Sequence, residues 1–327
     1  MDILRMFKVL IASRRLFSNW LSAGIRYYLV KYGTLKGGIK VKCGNKEHVL
    51  SPRVYLNIVN AYYGGLLRDF SCSNKLLGKP RGVIDFVIRD GDVILRMPDG
   101  ILLTIESFDQ LVLSETWLNE IHFLGSDLSD WFVLDVGAYI GDTALYYAKR
   151  GAFVVAVEPL PSNYEVMLKN LELNPELKTR ILPINAAISS KDGFVELNYV
   201  DQIDGSATTY GAGIFKSKVR SMKLSTLVRE IASTGMDPSK FRVRVLKMDC
   251  KGCEYDIIHE IDTLKLFDII KIEYSGYLRG KTYHELKKTL EDLGFKCRIW
   301  AHNEWAIRIG LDKHGTMTCT KNYEAIR

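Results

Sequence analysis

Along the first part of the chain the apolar positions change period. Residues 1–32 set Ile3, Met6, Phe7, Leu10, Phe17, Trp20 and Leu21 near helical spacing, with Arg5, Lys8, Arg14 and Arg15 between them, which predicts a basic amphipathic helix. Residues 82–105 alternate instead, as VIDFVI, DVILRM and ILLTIE, and are broken at Asp90-Gly91 and Asp99-Gly100. Asp-Gly between alternating runs is a strong hairpin signal, so this stretch predicts a three-stranded meander. Residues 107–124 read as a helix and 125–130 as a polar break. From Trp131 onward the short apolar runs FVLDV, VVAVE, ILPINAAI, VRVLKMD and FDIIKIE alternate with helical stretches at 141–150, 161–173, 252–264 and 282–293. Alternating strands and helices predict a mostly parallel sheet covered by helices on both faces. The expected fold class is α/β, with an N-terminal α+β region over 1–128 and a Rossmann-like domain over 129–327.

Ligands of such sheets bind at the carboxyl ends of the strands. The first strand runs into VLDVGAYIGDTALYYA (133–148), where Gly137 and Gly141 let backbone come close to a ligand. Glu158, at the end of the second strand, is placed to accept hydrogen bonds from ribose hydroxyls, and the pair describes an adenosine cofactor site. Tyr139 stands where a dinucleotide fingerprint needs its second glycine for contact with pyrophosphate. Asp135 and Asp142 beside the loop suit the ammonium and sulfonium of S-adenosylmethionine better than a phosphate. Asn185 and Ala186 end the third strand at the height of an adenine ring. Asp249, Glu254 and Glu273 stand at or just beyond the tips of the fourth and fifth strands, and three carboxylates there exceed what packing requires, because each is costly to bury without partners.

Charge alters this picture only locally. Residues 1–53 carry a net +9 and the remainder −2, so the basic end suits an anionic partner. The helix over 1–32 is read either as an anchor on an anionic membrane surface or, preferred, as a helix packed on its own domain or a second subunit. No run of apolar residues is long enough to span a bilayer. Six scattered cysteines and no secretory leader pattern predict reduced thiols in a cytoplasmic protein, peripheral at the membrane if the anchor reading holds. Cys250-x-x-Cys253 is read as apolar packing rather than as a redox pair or half a zinc site, and no metal is expected. His259, His284 and His302 read as isolated surface or packing residues. Loop 201–218, rich in Gly, Ser and Thr, is either a lid or a mobile surface loop.

Three pieces in order, Asp135-Val136-Gly137-Ala138 with Gly141-Asp142, Glu158-Pro159, and Lys247-Met248-Asp249-Cys250-Lys251-Gly252-Cys253-Glu254, resemble the FkbM family of methyltransferases over about residues 131–275. The resemblance implies S-adenosylmethionine-dependent O-methylation of a hydroxyl on a sugar, glycan or related small molecule, with the cofactor held by the first two pieces. Lys251 departs from the family, which usually has an acidic residue before that glycine. An alcohol acceptor gains from a general base, and Asp249 or Glu254 is the expected one, with Glu273 third; the competing reading of Glu254 is a helix cap or a partner of Lys251. A nicotinamide-dependent oxidoreductase and a non-catalytic binding module stay open as other classes. Nucleic acid is not an expected partner, because no aromatic-basic interleaving lies near the site.

Overall fold

Tertiary structure is taken from a computed structural model, which describes residues 10–321 apart from 12, 15, 44–45, 68–83 and 90–91. The chain divides into two compact units, residues 1–120 and 121–327.

In the first unit α1 (Trp20–Lys31) is followed by the hairpin β1 (Ile39–Cys43) and β2 (Lys46–Leu50), then α2 (Pro52–Tyr63). Ser51 caps α2, its Oγ accepting from the Val54 amide at 3.2 Å, and Pro52 fixes the first turn. The antiparallel meander β3 (Asp85–Arg89), β4 (Asp92–Arg96) and β5 (Leu102–Thr104) lies where the alternating pattern put it; its Asp90-Gly91 turn lies outside the described residues. The helix expected over 107–124 is shorter, α3 (Gln110–Trp117), and starts at Asp109, whose carboxylate accepts from the Leu111 amide. The early part of the basic helix also lies outside the described residues. Its continuation α1 buries Ala23, Gly24 and Tyr27 and leaves Leu21 and Ile25 about half exposed. No described helix is long and apolar enough to cross a membrane.

The second unit is built on a seven-stranded sheet. Its strands in chain order are β6 (Trp131–Val136), β7 (Phe153–Val157), β8 (Ile181–Ile184), β12 (Val243–Met248), β13 (Ile269–Ser275), β14 (Lys296–Trp300) and β15 (His314–Thr320). The spatial order is β14-β15-β13-β12-β6-β7-β8. Five strands from β13 to β8 run parallel, and β15 is antiparallel to β13 and β14. This is the expected Rossmann-like sheet. β6 is buried at every position and β7 at all but its first, as a parallel strand covered on both faces must be. The helices α4 (Asp142–Lys149) and α5 (Pro161–Glu172) supply the first crossovers.

The run ILPINAAI is two strands, β8 and β9 (Ala187–Ile188), separated at Asn185-Ala186. β9 leaves the main sheet to pair with the ribbon of β10 (Gly193–Tyr199) and β11 (Phe215–Met222). The stretch 252–264 is also divided, into α7 (Glu254–Ile257) and α8 (Ile261–Leu264), after α6 (Leu224–Ser233). Beyond β13 come α9 (Tyr283–Asp292) and α10 (Glu304–Ile309).

One expectation is overturned. Cys250 and Cys253 are joined in a disulfide, Cys297 and Cys319 in another, and no described cysteine is free. Cys297 and Cys319 face each other directly across β14 and β15, a juxtaposition created by strand register rather than by spacing along the chain. The reduced thiols expected from the sequence, and the apolar packing role given to Cys250 and Cys253, do not stand.

Candidate active site

The turn after β6 is shaped by close backbone approach. Gly137 has φ +82°, and a Cβ on it would lie 2.1 Å from the carbonyl oxygen of Asp249, so only glycine lets this loop meet the tip of β12. Gly141, at φ +78°, packs against Met167 and opens α4. Ala138 between them is fully buried. Tyr139 adopts φ +50° and its ring lies against Gly205. Asp142, in the first turn of α4, is buried at the dipole end that favours a negative charge.

Asp135 is fully buried beneath this loop. Its Oδ1 lies 2.8 Å from Lys247 Nζ, and Thr143 Oγ1 donates to its Oδ2 at 2.5 Å. Lys247 Nζ also donates to the Gly137 carbonyl at 3.3 Å. Burial works against the charge on Lys247, but Asp135 and Asp249 hold its pKa above the ordinary lysine value. The charge of Asp135 is thus met by an ion pair, and its role in the loop is to hold the backbone.

Glu158 stands beside the loop. The Tyr139 amide donates to its Oε2 at 2.9 Å, while the Leu160 amide and Asn163 Nδ2 each donate to its Oε1 at 3.0 Å. Burial pushes its pKa up to about 7 against these donors. Asn185 Nδ2 donates to the carbonyls of Glu158 and Pro159 at 2.8 and 3.2 Å, which fixes the turn that carries the carboxylate. Ala186 next to it is buried.

At the tips of β12 and β13, Lys251 Nζ bridges Asp249 Oδ1 at 2.5 Å and Glu273 Oε1 at 2.7 Å. Lys251 sits at φ +51° in the turn. Burial opposes its charge, and the two carboxylates hold it protonated, well above the ordinary lysine value. Glu273 is buried too, which by itself raises its pKa, yet Lys251 and then His302 hold it below the usual carboxylate range. The residue expected to be acidic is therefore a cation that gathers two of the three candidate carboxylates.

Glu254, the other candidate base, is fully buried. The Gly252 amide donates to its Oε2 at 2.8 Å and the Ser275 amide to its Oε1 at 2.6 Å. Burial raises its pKa to about 7. With one backbone amide on each oxygen, Glu254 ties the β12 turn to the end of β13, while Lys251 pairs with Asp249 and Glu273 instead.

Loop 200–214 between β10 and β11 is pinned across both halves. Asn163 exchanges hydrogen bonds with the Asp204 backbone at 2.9 and 3.0 Å, Thr208 Oγ1 donates to the Lys251 carbonyl at 2.6 Å, and Tyr210 donates to Asp256. Asn163, Thr208 and Tyr210 escaped the reading of the sequence, where the only signal was a Gly-, Ser- and Thr-rich loop. His302, expected to be isolated, is not: its buried ring places Nε2 3.6 Å from Glu273 Oε2, and His314, which the sequence did not single out, opens β15 beside it. A recess between the strand tips is lined by Ile121, His122, Lys247, Met248, Lys271, Glu273 and Thr316.

Residues 135–297 match the family model described as the Methyltransferase FkbM domain. Methyltransferase sdnD of Sordaria araneosa is 24% identical over 212 residues, which cover 57% of this chain and 82% of that protein. Methyltransferase 1 of Beauveria bassiana (strain ARSEF 2860) is 22% identical over 215 residues, 60% of this chain and 84% of that protein. Among solved structures, that of M. jannaschii TYW2 in complex with AdoMet aligns with a TM-score of 0.35 at 14% identity, over 75% of this chain and 88% of that one.

Proposed function

With residues 135–297 forming a methyltransferase FkbM domain as the premise, we propose that this S-adenosylmethionine-dependent methyltransferase acts on a hydroxyl of a sugar, glycan or related small molecule. The residues fit the donor. Glu158 uses three acceptor positions on N–H groups, and a carboxylate has about four, so capacity remains for a ribose hydroxyl. The Tyr139 amide, at the position where a dinucleotide fingerprint needs its second glycine, is taken up by Glu158. Gly137, Gly141 and Glu158 would hold the donor, with Asn185 and Ala186 beside the adenine. When bound, S-adenosylmethionine supplies an electrophilic methyl group on a sulfonium sulfur.

The observation offered in support of the O-methylation reading is the close approach of Gly137 to the Asp249 backbone, which makes the turn carrying Asp249 a neighbour of the glycine loop. Alignment of the acceptor oxygen supplies much of the rate in such a displacement. Asp249 takes the acceptor's proton, and Lys251 positions it by holding one of its oxygens. Lys251 also fixes Glu273, leaving Glu273 a positioning rather than a proton-accepting role.

The test is calorimetric titration with S-adenosylmethionine and with a nicotinamide dinucleotide, followed by transfer of radiolabelled methyl to a panel of glycan and small-molecule alcohols. Binding of the first alone, abolished by Glu158→Ala, and a turnover lower by about 10²–10⁴-fold in Asp249→Asn at unchanged donor affinity are expected. Binding of the dinucleotide alone, or of neither, overturns the reading.

A further inference from the structure

The strand tips hold a second constellation that proton transfer does not use. Glu273 near the end of β13 faces Thr316, and Ser275 faces His314, across the antiparallel β13–β15 pair. Residues two apart share a face of a strand, so Glu273 and His314 lie on the same side of the sheet. His302, just beyond β14, reaches the same point: its Nε2 is 3.6 Å from Glu273 Oε2, and the ligand atoms of all three residues lie within 4.8 Å of one another.

The outer partners are those that metal-binding imidazoles need. His314 Nδ1 is 2.9 Å from the Tyr274 carbonyl, which can only accept, so the ring proton sits on Nδ1 and Nε2 keeps its lone pair. His302 Nδ1 is 2.9 Å from Thr316 Oγ1, which fixes that ring with Nε2 toward Glu273. Glu273 is oriented through its other oxygen by Lys251. Both imidazoles are almost wholly buried, whereas the Glu273 side chain keeps 12% exposure, so the cluster is recessed and communicates with the cleft through Glu273.

We propose that Glu273, His302 and His314 form a 2-His-1-carboxylate site for one divalent first-row metal ion, zinc-like in its ligand preference, whose remaining positions hold the acceptor oxygen. Two imidazole nitrogens with one carboxylate suit such an ion, while calcium and magnesium favour all-oxygen sets. Three protein ligands leave the open positions that a catalytic rather than a structural site requires. The other cluster of ligand-type residues among those described, Cys250, Cys253 and Glu254, has its sulfurs joined to each other. The role as holder of the acceptor rests on the methyltransferase reading; the site itself does not.

The test is titration of chelator-stripped, full-length protein with Co²⁺ in the absence of S-adenosylmethionine. One Co²⁺ per chain is expected, giving visible ligand-field bands without a sulfur-to-cobalt charge-transfer band. Those bands vanish in His302→Gln and Glu273→Gln and persist in the Cys250→Ser/Cys253→Ser variant. Should His302→Gln fail to fold, Thr316→Val, which only frees the ring, weakens Co²⁺ affinity by about 10–100-fold. No bands in the parent protein, or bands that survive loss of His302 or that follow the cysteines, overturn the site. Co²⁺ binding without S-adenosylmethionine binding keeps the site and removes the methyltransferase reading; the reverse keeps the reading and removes the site.

Discussion

At the cofactor loop, Glu158 is surrounded by two backbone amides and one side-chain amide, and burial lifts its pKa to about 7. At the neighbouring strand tips Glu273 is less fully buried and faces an ammonium and two imidazoles, which hold it below the usual carboxylate range. The difference is one of partners, since neutral donors offset part of the desolvation of a carboxylate while a cation at close range exceeds it. The first environment suits reversible hydrogen bonding to neutral hydroxyls. The second suits a fixed negative charge, which is what a metal ligand or a positioning group requires. Glu254 belongs with Glu158 in its chemistry although it lies among the strand-tip residues, because its partners are backbone amides.

The most severe way to break this contrast is to put an unpaired charge beneath the cofactor loop. Lys247→Met strands Asp135 in the core, and a loss of about 3–5 kcal/mol in unfolding free energy is expected from denaturant titration. The double variant Asp135→Leu/Lys247→Met recovers most of that loss, because a buried pair replaced by apolar residues is often neutral. Equal losses in the single and double variants would show that the pair does not hold the loop.

Glu254→Gln sharpens the comparison at an intermediate scale. Its amide NH₂ must face the Gly252 or Ser275 amide, leaving a buried donor without an acceptor, at about 1–3 kcal/mol. Turnover of the folded variant stays near that of the parent, and a large fall in turnover would restore Glu254 as the base. The pH dependence carries the sign. A carboxyl whose folded pKa, about 7, lies above its ordinary value of 4.5 binds more protons folded than unfolded between those limits. Glu158 shares this behaviour. Stability therefore falls as pH rises from about 4.5 to about 7 and levels off above, and Glu254→Gln flattens part of that slope.

The smallest effect concerns donor affinity. Glu158 must be ionised to accept from ribose, so calorimetric Kd for S-adenosylmethionine rises by up to about tenfold per pH unit below about 7 and is flat above it. Glu158→Gln weakens binding and removes the slope. An unchanged slope in that variant would assign it to another group.

The glycine loop after β6 and the carboxylate beside it were legible in the sequence because their parts are local. Asp135, Gly137, Gly141 and Glu158 belong to one strand-loop-helix-strand unit, where the apolar period gives the elements and the glycines mark the turn. The cluster at the tips of β12 and β13 was legible only at Asp249 and Glu273. Lys251 could be seen as a departure from a motif, but its bridge between two strand tips could not. His302 read as isolated and His314 attracted no notice, since they reach Glu273 only through the antiparallel placement of β15 beside β13. Cys297 and Cys319 likewise meet through the pairing of β14 with β15.

By itself the sequence determined the α/β alternation, the glycine loop after β6, the carboxylate beside it and the family of the domain. The tertiary structure alone decided which carboxylate is neutralised by which cation, that Glu254 is spent on backbone amides, that the cysteines pair, and that two histidines converge on Glu273. The physical reason is that periodicity and turn chemistry act within one element or one turn, whereas register between strands distant in the chain is set by burying all their faces together, and it is register that brings charges into contact.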